Sequence, residues 1–363
     1  MSRGDSFDTI VVGGGVIGCS VFYQLAKTRN SRVLLIEGER VGMSGATRDT
    51  GAIVRAFDPD PRIMELAQRS LDDYREFERR IGSSNPFQER RLLYNVGATV
   101  DQVRQHLGRY AEPRFELAIR GPDELAELAG FPSDSVLVED RHAGFLDPLR
   151  TCRGYVESAV GHGGQVVEGT PVISLAGRAG CCEEVVTTRA RYRASRVVIA
   201  SGAQGQSLNR TSFESLQLRS KLIRYVIADA ELARTAMSAR DEARLPILLD
   251  DVSGYYMKPI SESSMLLGRV VDRWDLDLGA LPPFEEAEVQ RLLAHFRLRI
   301  PGLSRLEARS TVTGYDLYTP ARIGELRFSD RLRNCLLVTG WSGHGFKIAP
   351  EIGRLASRKV QER

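Results

Sequence analysis

Two neighbouring stretches of sequence, Asp8-Thr-Ile-Val-Val-Gly-Gly-Gly-Val-Ile-Gly-Cys-Ser20 and Val33-Leu-Leu-Ile-Glu37, decide the fold of this chain. Each contains a short apolar run that predicts a buried β-strand, and residues 21–26 between them are compatible with a helix. A glycine-rich turn joins the first strand to this helix. Together these parts form a complete βαβ unit, which is typical of an α/β fold with a parallel sheet.

The glycines of the turn predict a binding site for a dinucleotide, because Gly13, Gly15 and Gly18 have the spacing Gly-x-Gly-x-x-Gly in the required context. Gly13 allows a sharp turn, Gly15 lets the backbone approach a pyrophosphate, and Gly18 lets the helix pack close to the sheet. The backbone amides at the helix start, near Val16 and Ile17, would then face the phosphates.

Glu37 ends the second strand, 24 residues after Gly13. A carboxylate at this place can accept hydrogen bonds from ribose hydroxyls, and it disfavours a 2′-phosphate. This argues against NADP, but the motif does not choose between FAD and NAD.

Composition indicates an ordinary globular protein with more than one domain. The chain has 363 residues, which exceeds the usual size of a single core. Its hydrophobic content of 42% and charged content of 27% are typical of soluble proteins. The net charge is only +3 and the arginines are scattered, so the composition gives no support for a nucleic-acid partner.

The cysteines predict reduced thiols and a cytoplasmic protein. There are five, an odd number, without CxxC pairing or metal-ligand spacing: Cys19, Cys152, Cys181, Cys182 and Cys335. Residues 1–7 lack an apolar signal core, and no stretch approaches 18 uninterrupted apolar residues. We therefore predict neither a metal site nor a membrane span.

The pattern of apolar residues predicts the other elements. Helices are predicted over residues 62–80, 121–130, 149–161, 285–298 and 348–359. Strands are predicted over residues 164–168, 170–175, 195–202, 222–228, 245–249, 254–257 and 265–271.

The order of these elements predicts a discontinuous dinucleotide-binding domain. It comprises residues 1–82, 143–216 and 306–363, because the α/β pattern is interrupted twice. Prolines separate short elements over residues 83–142, and residues 217–305 are rich in strands. These two segments are predicted to form the substrate domain.

A second glycine-rich turn lies near the C-terminus, in Val338-Thr-Gly-Trp-Ser-Gly-His-Gly-Phe-Lys-Ile-Ala-Pro350. A strand is predicted to end at Thr339, and a helix is predicted to begin near Ala349 with Pro350 in its first turn. This would bring backbone amides and a positive helix end to one point. In a flavoenzyme, that point would be the pyrimidine edge of the isoalloxazine, where negative charge accumulates on reduction.

Four motifs, in this order, resemble the FAD-dependent D-amino-acid oxidase superfamily, and most closely its sarcosine oxidase and glycine oxidase branch. They are Gly13-Gly-Gly-Val-Ile-Gly18 with Glu37, Ser44-Gly-Ala-Thr47, Gly144-Phe-Leu-Asp-Pro148 with Ala200-Ser-Gly-Ala203, and Gly340-Trp-Ser-Gly-His-Gly-Phe-Lys347. The resemblance implies a glutathione-reductase-like FAD-binding Rossmann domain and a substrate domain built on a large mixed β-sheet.

The resemblance also implies roles for individual residues. Arg55 would hold a substrate carboxylate above the flavin, Lys347 would share it, and Tyr256 and Tyr318 would be active-site tyrosines. The implied FAD contacts, of which that of Val172 is with the adenine, are Gly13, Gly15, Val16, Ile17, Gly18, Glu37, Gly38, Arg40, Ser44, Gly45, Ala46, Thr47, Val172, Ser201, Gly202, Gly340, Gly343, His344, Gly345, Phe346 and Lys347.

Two residues depart from the pattern of sarcosine oxidase. Asp316 stands where that enzyme has the cysteine that binds flavin, so we expect FAD to be noncovalent. Leu266 stands where it has the lysine that accelerates the reaction with oxygen. The choice between oxidase and dehydrogenase therefore stays open.

For several of these residues a structural interpretation stands beside the functional one. Arg55 is either a substrate clamp or a structural arginine paired with a carboxylate such as Asp58. His344 is either a general base or a spacer, and the spacer is favoured. Tyr255 and Tyr256 point to opposite faces of a strand, and Tyr256 is favoured for the site. For Arg269, a solvent-facing position is favoured over a third positive group in the site.

The resulting hypothesis is oxidation of the C–N bond of an amino acid or N-substituted amino acid by hydride transfer to flavin N5, which gives an imine. The partners are then a small amine or amino acid and oxygen or another electron acceptor; the oligomeric state is left open. Three alternatives remain. They are an NAD-linked dehydrogenase, a flavin hydroxylase, whose Gly-Asp-Ala-Ala-His stretch is absent here, and a non-catalytic FAD-binding subunit of a heteromeric amine dehydrogenase.

Overall fold

A computed structural model describes residues 6–122, 131–213, 216–232, 245–300 and 303–362. Most of the helix predicted over residues 121–130 lies outside the described residues.

The first sheet contains the predicted βαβ unit. Its parallel strands follow the order β9-β2-β1-β12-β19. They are β1 (Ser6–Val12), β2 (Val33–Ile36), β9 (Gln165–Val167), β12 (Arg191–Ile199) and β19 (Cys335–Thr339). Antiparallel strands extend the sheet: β11 (Cys181–Thr187) beside β12, β10 (Val172–Arg178) beside β11, and β18 (Glu325–Phe328) beside β19. The central strands read as continuous apolar runs because both faces of this sheet are buried.

Helices from both ends of the chain pack together against this sheet. Helix α1 (Val16–Ala26) follows β1, and helix α9 (Gly345–Gln361) follows β19. Gly353 of α9 lies so close to α1 that a Cβ there would overlap Ser20. Ile348 and Ile352 belong to the same apolar core as Val16 and Val21. The N- and C-terminal segments therefore form one layer.

The second sheet has eight strands in the order β17-β13-β16-β15-β14-β5-β7-β6. Only β14 and β5 pair in parallel; the other neighbours are antiparallel. The strands are β5 (Leu92–Asn95), β6 (Ala118–Arg120), β7 (Leu137–Asp140), β13 (Arg219–Leu232), β14 (Ile247–Asp250), β15 (Tyr255–Ser261), β16 (Ser264–Arg269) and β17 (Leu303–Tyr318). Helix α8 (Glu286–Arg299) buries Val289, Leu293 and Phe296 against one face. This is the large mixed sheet that the resemblance implies.

A small antiparallel sheet and the remaining helices complete the described fold. The sheet has the order β3-β8-β4, from β3 (Ile53–Val54), β4 (Phe87–Glu89) and β8 (Gly144–Leu146). The helices are α2 (Gly45–Arg48), α3 (Pro61–Arg75), α4 (Phe77–Ile81), α5 (Val100–Tyr110), α6 (Pro148–Gly161) and α7 (Gln206–Ser212). The α/β fold class and the two kinds of sheet are confirmed. The domain boundaries stay a prediction, although the one at residue 306 falls inside β17.

Two predicted helices differ from the structure. The helix predicted over residues 62–80 is two helices, α3 and α4, with a break at Glu76. Helix α9 begins at Gly345, not near Ala349, so Pro350 lies inside it. A proline cannot donate to the carbonyl four residues earlier, which here belongs to Phe346. The buried hydroxyl of Tyr74 donates to that carbonyl instead, at 2.5 Å, so the helix continues through the proline.

Candidate active site

The carboxyl ends of four parallel strands surround a cavity, which we call the glycine-lined cavity. Ligands of open α/β sheets bind at this edge. Its lining residues from the two ends of the chain are Gly13, Gly15, Val16, Ile17, Glu37, Ser44, Gly45, Ala46, Thr47, Thr50, Val338, Thr339, Gly340, Trp341, Gly343, Gly345 and Phe346. Ala200, Ser201, Gly202, Ala203, Gln204, Asp316 and Leu317 complete it. Both glycine-rich turns therefore meet at one cavity.

Gly13 and Gly18 form the sharp turn between β1 and α1. Gly13 has φ 107°, and a Cβ there would lie 2.5 Å from the Ala200 carbonyl oxygen. A Cβ on Gly18 would overlap the Gly13 carbonyl oxygen. Gly18 is not among the residues that line the cavity, so its contribution is close packing of the helix, as the spacing predicts.

Glu37 joins the loops on either side of the glycine-lined cavity. Its Oε2 accepts a hydrogen bond from Gly14 N at 2.6 Å, and its Oε1 accepts one from Glu39 N at 2.9 Å. Thr47 Oγ1 accepts from Val16 N at 3.1 Å, in the first turn of α1. The Glu37 side chain thus holds the glycine-rich turn in place. A contact of Glu37 with a ribose stays a prediction.

Three buried polar atoms on the wall of this cavity have no hydrogen-bond partner among the described residues. They are Ser201 Oγ, Thr339 Oγ1 and Trp341 Nε1. Buried polar groups are normally satisfied, so these atoms fit a cavity built to receive a polar ligand. With the glycine turns, this donor and acceptor set fits a dinucleotide.

Some predicted FAD contacts lie elsewhere. Gly38, Arg40, Val172 and His344 are not among the lining residues of the glycine-lined cavity, and Lys347 lines a neighbouring one. All the predicted FAD contacts remain predictions, including those of the residues that line the glycine-lined cavity.

The second cavity, which we call the cationic cavity, adjoins the first. Both are lined by Ala46, Thr50, Asp316, Gly343 and Phe346. The other residues of the cationic cavity are Asp49, Gly51, Ala52, Ile53, Arg55, Lys221, Leu222, Ile223, Arg224, Tyr225, Leu249, Tyr256, Arg269, Val270, Val271, Tyr318 and Lys347. The structure therefore brings together all four residues predicted to be catalytic, beside the glycine-lined cavity.

Arg55 and Lys347 share one carboxylate, that of Asp58. Arg55 Nη2 lies 2.9 Å from Asp58 Oδ2, and Lys347 Nζ donates to the same oxygen. Burial alone would raise the pKa of Asp58, but Lys347 and Arg55 outweigh it and lower this pKa to about 2. Burial and the nearby Arg55 lower the pKa of Lys347 to about 8. The cluster carries one net positive charge at neutral pH.

The two interpretations of Arg55 are compatible, since it pairs with Asp58 and also lines the cationic cavity. His344 precedes α9 as its N-cap, 4.0 Å from Asp58 Oδ2. Burial and Lys347 lower the pKa of His344 to about 3, so the ring is neutral at physiological pH. It lines neither cavity, which agrees with the favoured spacer role.

Tyr255 and Tyr256 lie on opposite faces of β15. The Tyr256 ring covers Gly268 of β16, and its hydroxyl donates to the Arg224 carbonyl at 3.2 Å. The Tyr255 ring instead stacks on His295 of α8, with 3.5 Å between centroids. Of the two, only Tyr256 is a lining residue of the cationic cavity.

The profile of the DAO family, described as FAD dependent oxidoreductase, matches residues 8–359. The chain belongs to this family. The predicted resemblance is confirmed, the protein is an enzyme, and its cofactor is FAD. The NAD-linked alternative is therefore wrong.

Individual relatives and one solved structure agree with this assignment. The chain is 23% identical to human mitochondrial dimethylglycine dehydrogenase over 375 residues, which is 97% of this chain and 42% of that protein. It is 26% identical to mouse peroxisomal sarcosine oxidase, over 97% of this chain and 91% of that one. The fold matches L-proline dehydrogenase from P. horikoshii with a TM-score of 0.84 and 19% identity, over 99% and 94% of the two chains. The chain thus spans about two-fifths of the mammalian dehydrogenases that it matches.

Asp316 lies where the two cavities meet, and its position beside the flavin stays a prediction. It accepts hydrogen bonds from Leu317 N and Gly343 N, both at 2.7 Å. Burial raises the pKa of Asp316 to about 6.

Sequence reasoning missed two buried lysines. The chain has five lysines, and three are buried: Lys221, Lys258 and Lys347. Lys221 lines the cationic cavity. Lys258 donates to the Gly51 carbonyl at 2.7 Å and pairs in register with Leu266. The sequence does contain a signal for Lys258. Residues two apart in a strand share a face, so Lys258 is expected on the same face of β15 as Tyr256, which is predicted to face the site.

Two features are absent from the described residues. No helix there is both long enough and apolar enough to cross a membrane. No group of three or more His, Cys, Asp or Glu residues there has the arrangement of a metal site.

Proposed function

We propose that this enzyme oxidises the C–N bond of an amino acid or N-substituted amino acid. The observation that carries the proposal is the buried pair Arg55 and Lys347, which lines the cationic cavity beside the glycine-lined cavity. The names of the relatives, dimethylglycine dehydrogenase and sarcosine oxidase, refer to N-methylated amino acids and support this class of substrate.

The Arg55, Asp58 and Lys347 cluster suits a single carboxylate. Its two cations and one anion leave one positive charge, which one substrate carboxylate neutralises. The guanidinium and ammonium groups can donate charge-assisted hydrogen bonds to that carboxylate. Because Asp58 already lies between the cations, they are held in place before the substrate arrives.

Positive charge around the cavity also favours the reactive form of the amine. Nearby cations disfavour a second positive charge and so lower the pKa of a bound ammonium. No described side chain is then needed as a base, and the residues of the cavity orient the substrate.

FAD, when bound, supplies the two-electron acceptor for the hydride of the carbon that bears nitrogen. The residues that would hold it are those of the glycine-lined cavity. We propose noncovalent binding, since the Asp316 carboxyl cannot form the thioether of a cysteine. Whether oxygen or another acceptor regenerates the cofactor stays open. Leu266 stands at the position of the lysine that accelerates the reaction with oxygen in sarcosine oxidase, but Lys258 lies opposite Leu266 on the neighbouring strand. The cytoplasmic location also stays a prediction, with all five cysteines free.

Anaerobic bleaching of the flavin absorbance tests the proposal. We expect one or more amino acids or N-methyl amino acids to bleach the holoenzyme, and Arg55→Met to slow bleaching strongly. Arg104→Met, an exposed arginine on α5, is the matched control. A best substrate without an acid group, together with an unimpaired Arg55→Met variant, would contradict the carboxylate clamp. If FAD binds but no amine or amino acid bleaches it, the proposed substrate class is wrong.

A further inference from the structure

The cationic cavity holds more positive charge than one carboxylate requires. Its charged lining residues are Arg55, Lys221, Arg224, Arg269, Lys347, Asp49 and Asp316. Five are cations and two are anions. Asp58, behind the wall, adds one anion to the Arg55 and Lys347 pair.

Most of these charges have a partner in the protein. Arg48 binds Asp49 through two hydrogen bonds of 2.7 and 2.9 Å, and Asp316 accepts two backbone amides. Arg224 Nη1 lies 2.8 Å from Glu288 Oε2, and Arg224 Nη2 donates to the carbonyls of residues 282 and 283. The charge of each of these three groups therefore has a partner within the protein.

Lys221 and Arg269 are different, because no carboxylate of a described residue lies within 4.0 Å of either. Lys221 is 8% exposed, and its ammonium lies 4.7 Å from the centre of the Trp274 ring and 5.5 Å from that of Tyr318. Arg269 lies over the Tyr255 ring at 5.2 Å. Asp272, the acid whose charge acts on Lys221, instead accepts from Trp274 Nε1 at 2.5 Å. A buried cation without an anion is costly, so the position of Lys221 suits a ligand anion. Arg269 is exposed, as the sequence favours, and it also lines the cavity, where it adds a second positive charge.

Lys221 and Arg269 belong to different elements of the fold from Arg55 and Lys347. Lys221 is opposite Asp316 in the register of β13 and β17, and Arg269 ends β16. Arg55 follows β3, and Lys347 lies in the first turn of α9. The cavity therefore receives positive charge from separate elements.

The wall near Arg269 continues into a third cavity. Arg224, Arg269, Val270 and Val271 line both. Arg291 adds a cation there, and Asp272 and Glu288 add two anions. There is thus room beyond the cationic cavity for a longer substrate.

We propose that the substrate carries a second anionic group, which Lys221 and Arg269 bind while Arg55 and Lys347 hold the carboxylate next to the C–N bond. The substrate class is then a dicarboxylic amino acid, or an amino acid whose N-substituent ends in an acid. This inference rests on the proposed function and specifies its substrate.

Binding of unreactive acids to the FAD-loaded enzyme tests it without catalysis. Calorimetry and the flavin difference spectrum give the affinities of glutarate and butyrate at fixed ionic strength. We expect glutarate to bind at least about tenfold more tightly than butyrate. Lys221→Met and Arg269→Leu should each remove most of this preference, because they weaken the binding of glutarate much more than that of butyrate.

Two variants control for folding and net charge. Lys359→Met removes an exposed lysine on α9 and should keep the preference. Lys221→Arg retains the charge and should also keep it. Equal affinity for the two acids, or equal weakening of both by Lys221→Met, would overturn the second subsite and leave the first clamp intact. Loss of butyrate binding in Arg55→Met tests the proposed function separately.

Discussion

The two adjoining cavities are built in different ways. The glycine-lined cavity is formed by strand ends, backbone amides and neutral polar atoms, with Glu37 and Asp316 as its acids. The cationic cavity is formed by long charged side chains from several elements. A cofactor shared by a whole family can be bound by backbone geometry, whereas a substrate is selected by side chains. Substitutions should therefore separate cofactor binding from substrate binding.

The largest effect is expected for Gly18→Ala. A Cβ at this position overlaps the backbone oxygen of Gly13, which cannot move away without opening the turn. We expect a cost of more than about 3 kcal/mol in the free energy of unfolding and loss of bound FAD. Thermal unfolding and the flavin content of the purified protein measure both effects.

Gly108→Ala is the matched control for this substitution. Gly108 lies in α5, where a Cβ would meet no atom within 4 Å. Alanine stabilises helices relative to glycine by about 1 kcal/mol, so this variant should be as stable as the parent or more so. A yellow, stable Gly18→Ala protein would show that the turn is not closely packed.

The cavity that backbone geometry builds was also the one that the sequence predicted well. Gly13, Gly18 and Glu37 lie within one short stretch, and their spacing is fixed by the turn that they make. The position of the second glycine turn could be predicted for the same reason. The start of α9 could not be, because the group that satisfies the Phe346 carbonyl is Tyr74, 272 residues away in sequence.

The residues of the cationic cavity could be predicted only in part. Arg55, Tyr256, Tyr318 and Lys347 came from the resemblance, and all four meet in the structure. The sequence also predicts Asp58 as a carboxylate partner for Arg55. Its bond to Lys347 spans 289 residues and leaves no local pattern. Lys221 and Arg269 also lie in no recognisable sequence motif. Their charges become significant only when all the charged residues of the cationic cavity are considered together.

The second largest effect is expected for Arg55→Met. It should lower the rate constant for anaerobic bleaching at low substrate concentration by about a hundredfold or more, because Lys347 alone then holds the carboxylate beside Asp58. The affinity for FAD should change less than about threefold, since Arg55 does not line the glycine-lined cavity. A parallel loss of FAD would contradict the separation of the two cavities.

A smaller effect, with a clear dependence on pH, is expected for Asp58→Asn. In the parent, the affinity for butyrate should fall as the pH rises through about 8, because Lys347 loses its proton there. Asp58 favours the charged form of Lys347, so its removal lowers the pKa of Lys347 and moves the midpoint to lower pH. Calorimetric titration of butyrate at a series of pH values measures this midpoint in both proteins, and an unchanged midpoint would contradict the coupling of Asp58 to Lys347.

Two further variants assign this pH dependence. Lys347→Arg keeps its charge throughout and should remove the fall near pH 8. Lys258 has a pKa lowered to about 8 by burial as well, and it holds the Gly51 carbonyl at the cavity wall. If Lys258→Met removes the fall and Lys347→Arg does not, the titrating group is Lys258.

The smallest effect is expected at Asp316, which lines both cavities and so joins the two kinds of site. Its pKa of about 6 means that its carboxyl gains negative charge as the pH rises from 5 to 7. Negative charge beside the flavin should shift the absorption spectrum of the holoenzyme with a midpoint near pH 6. Asp316→Asn removes this titration but retains an oxygen that can accept from Gly343 N, so the affinity for FAD should change only about threefold. A pH-dependent spectrum that persists in Asp316→Asn would show that the titrating group is not Asp316.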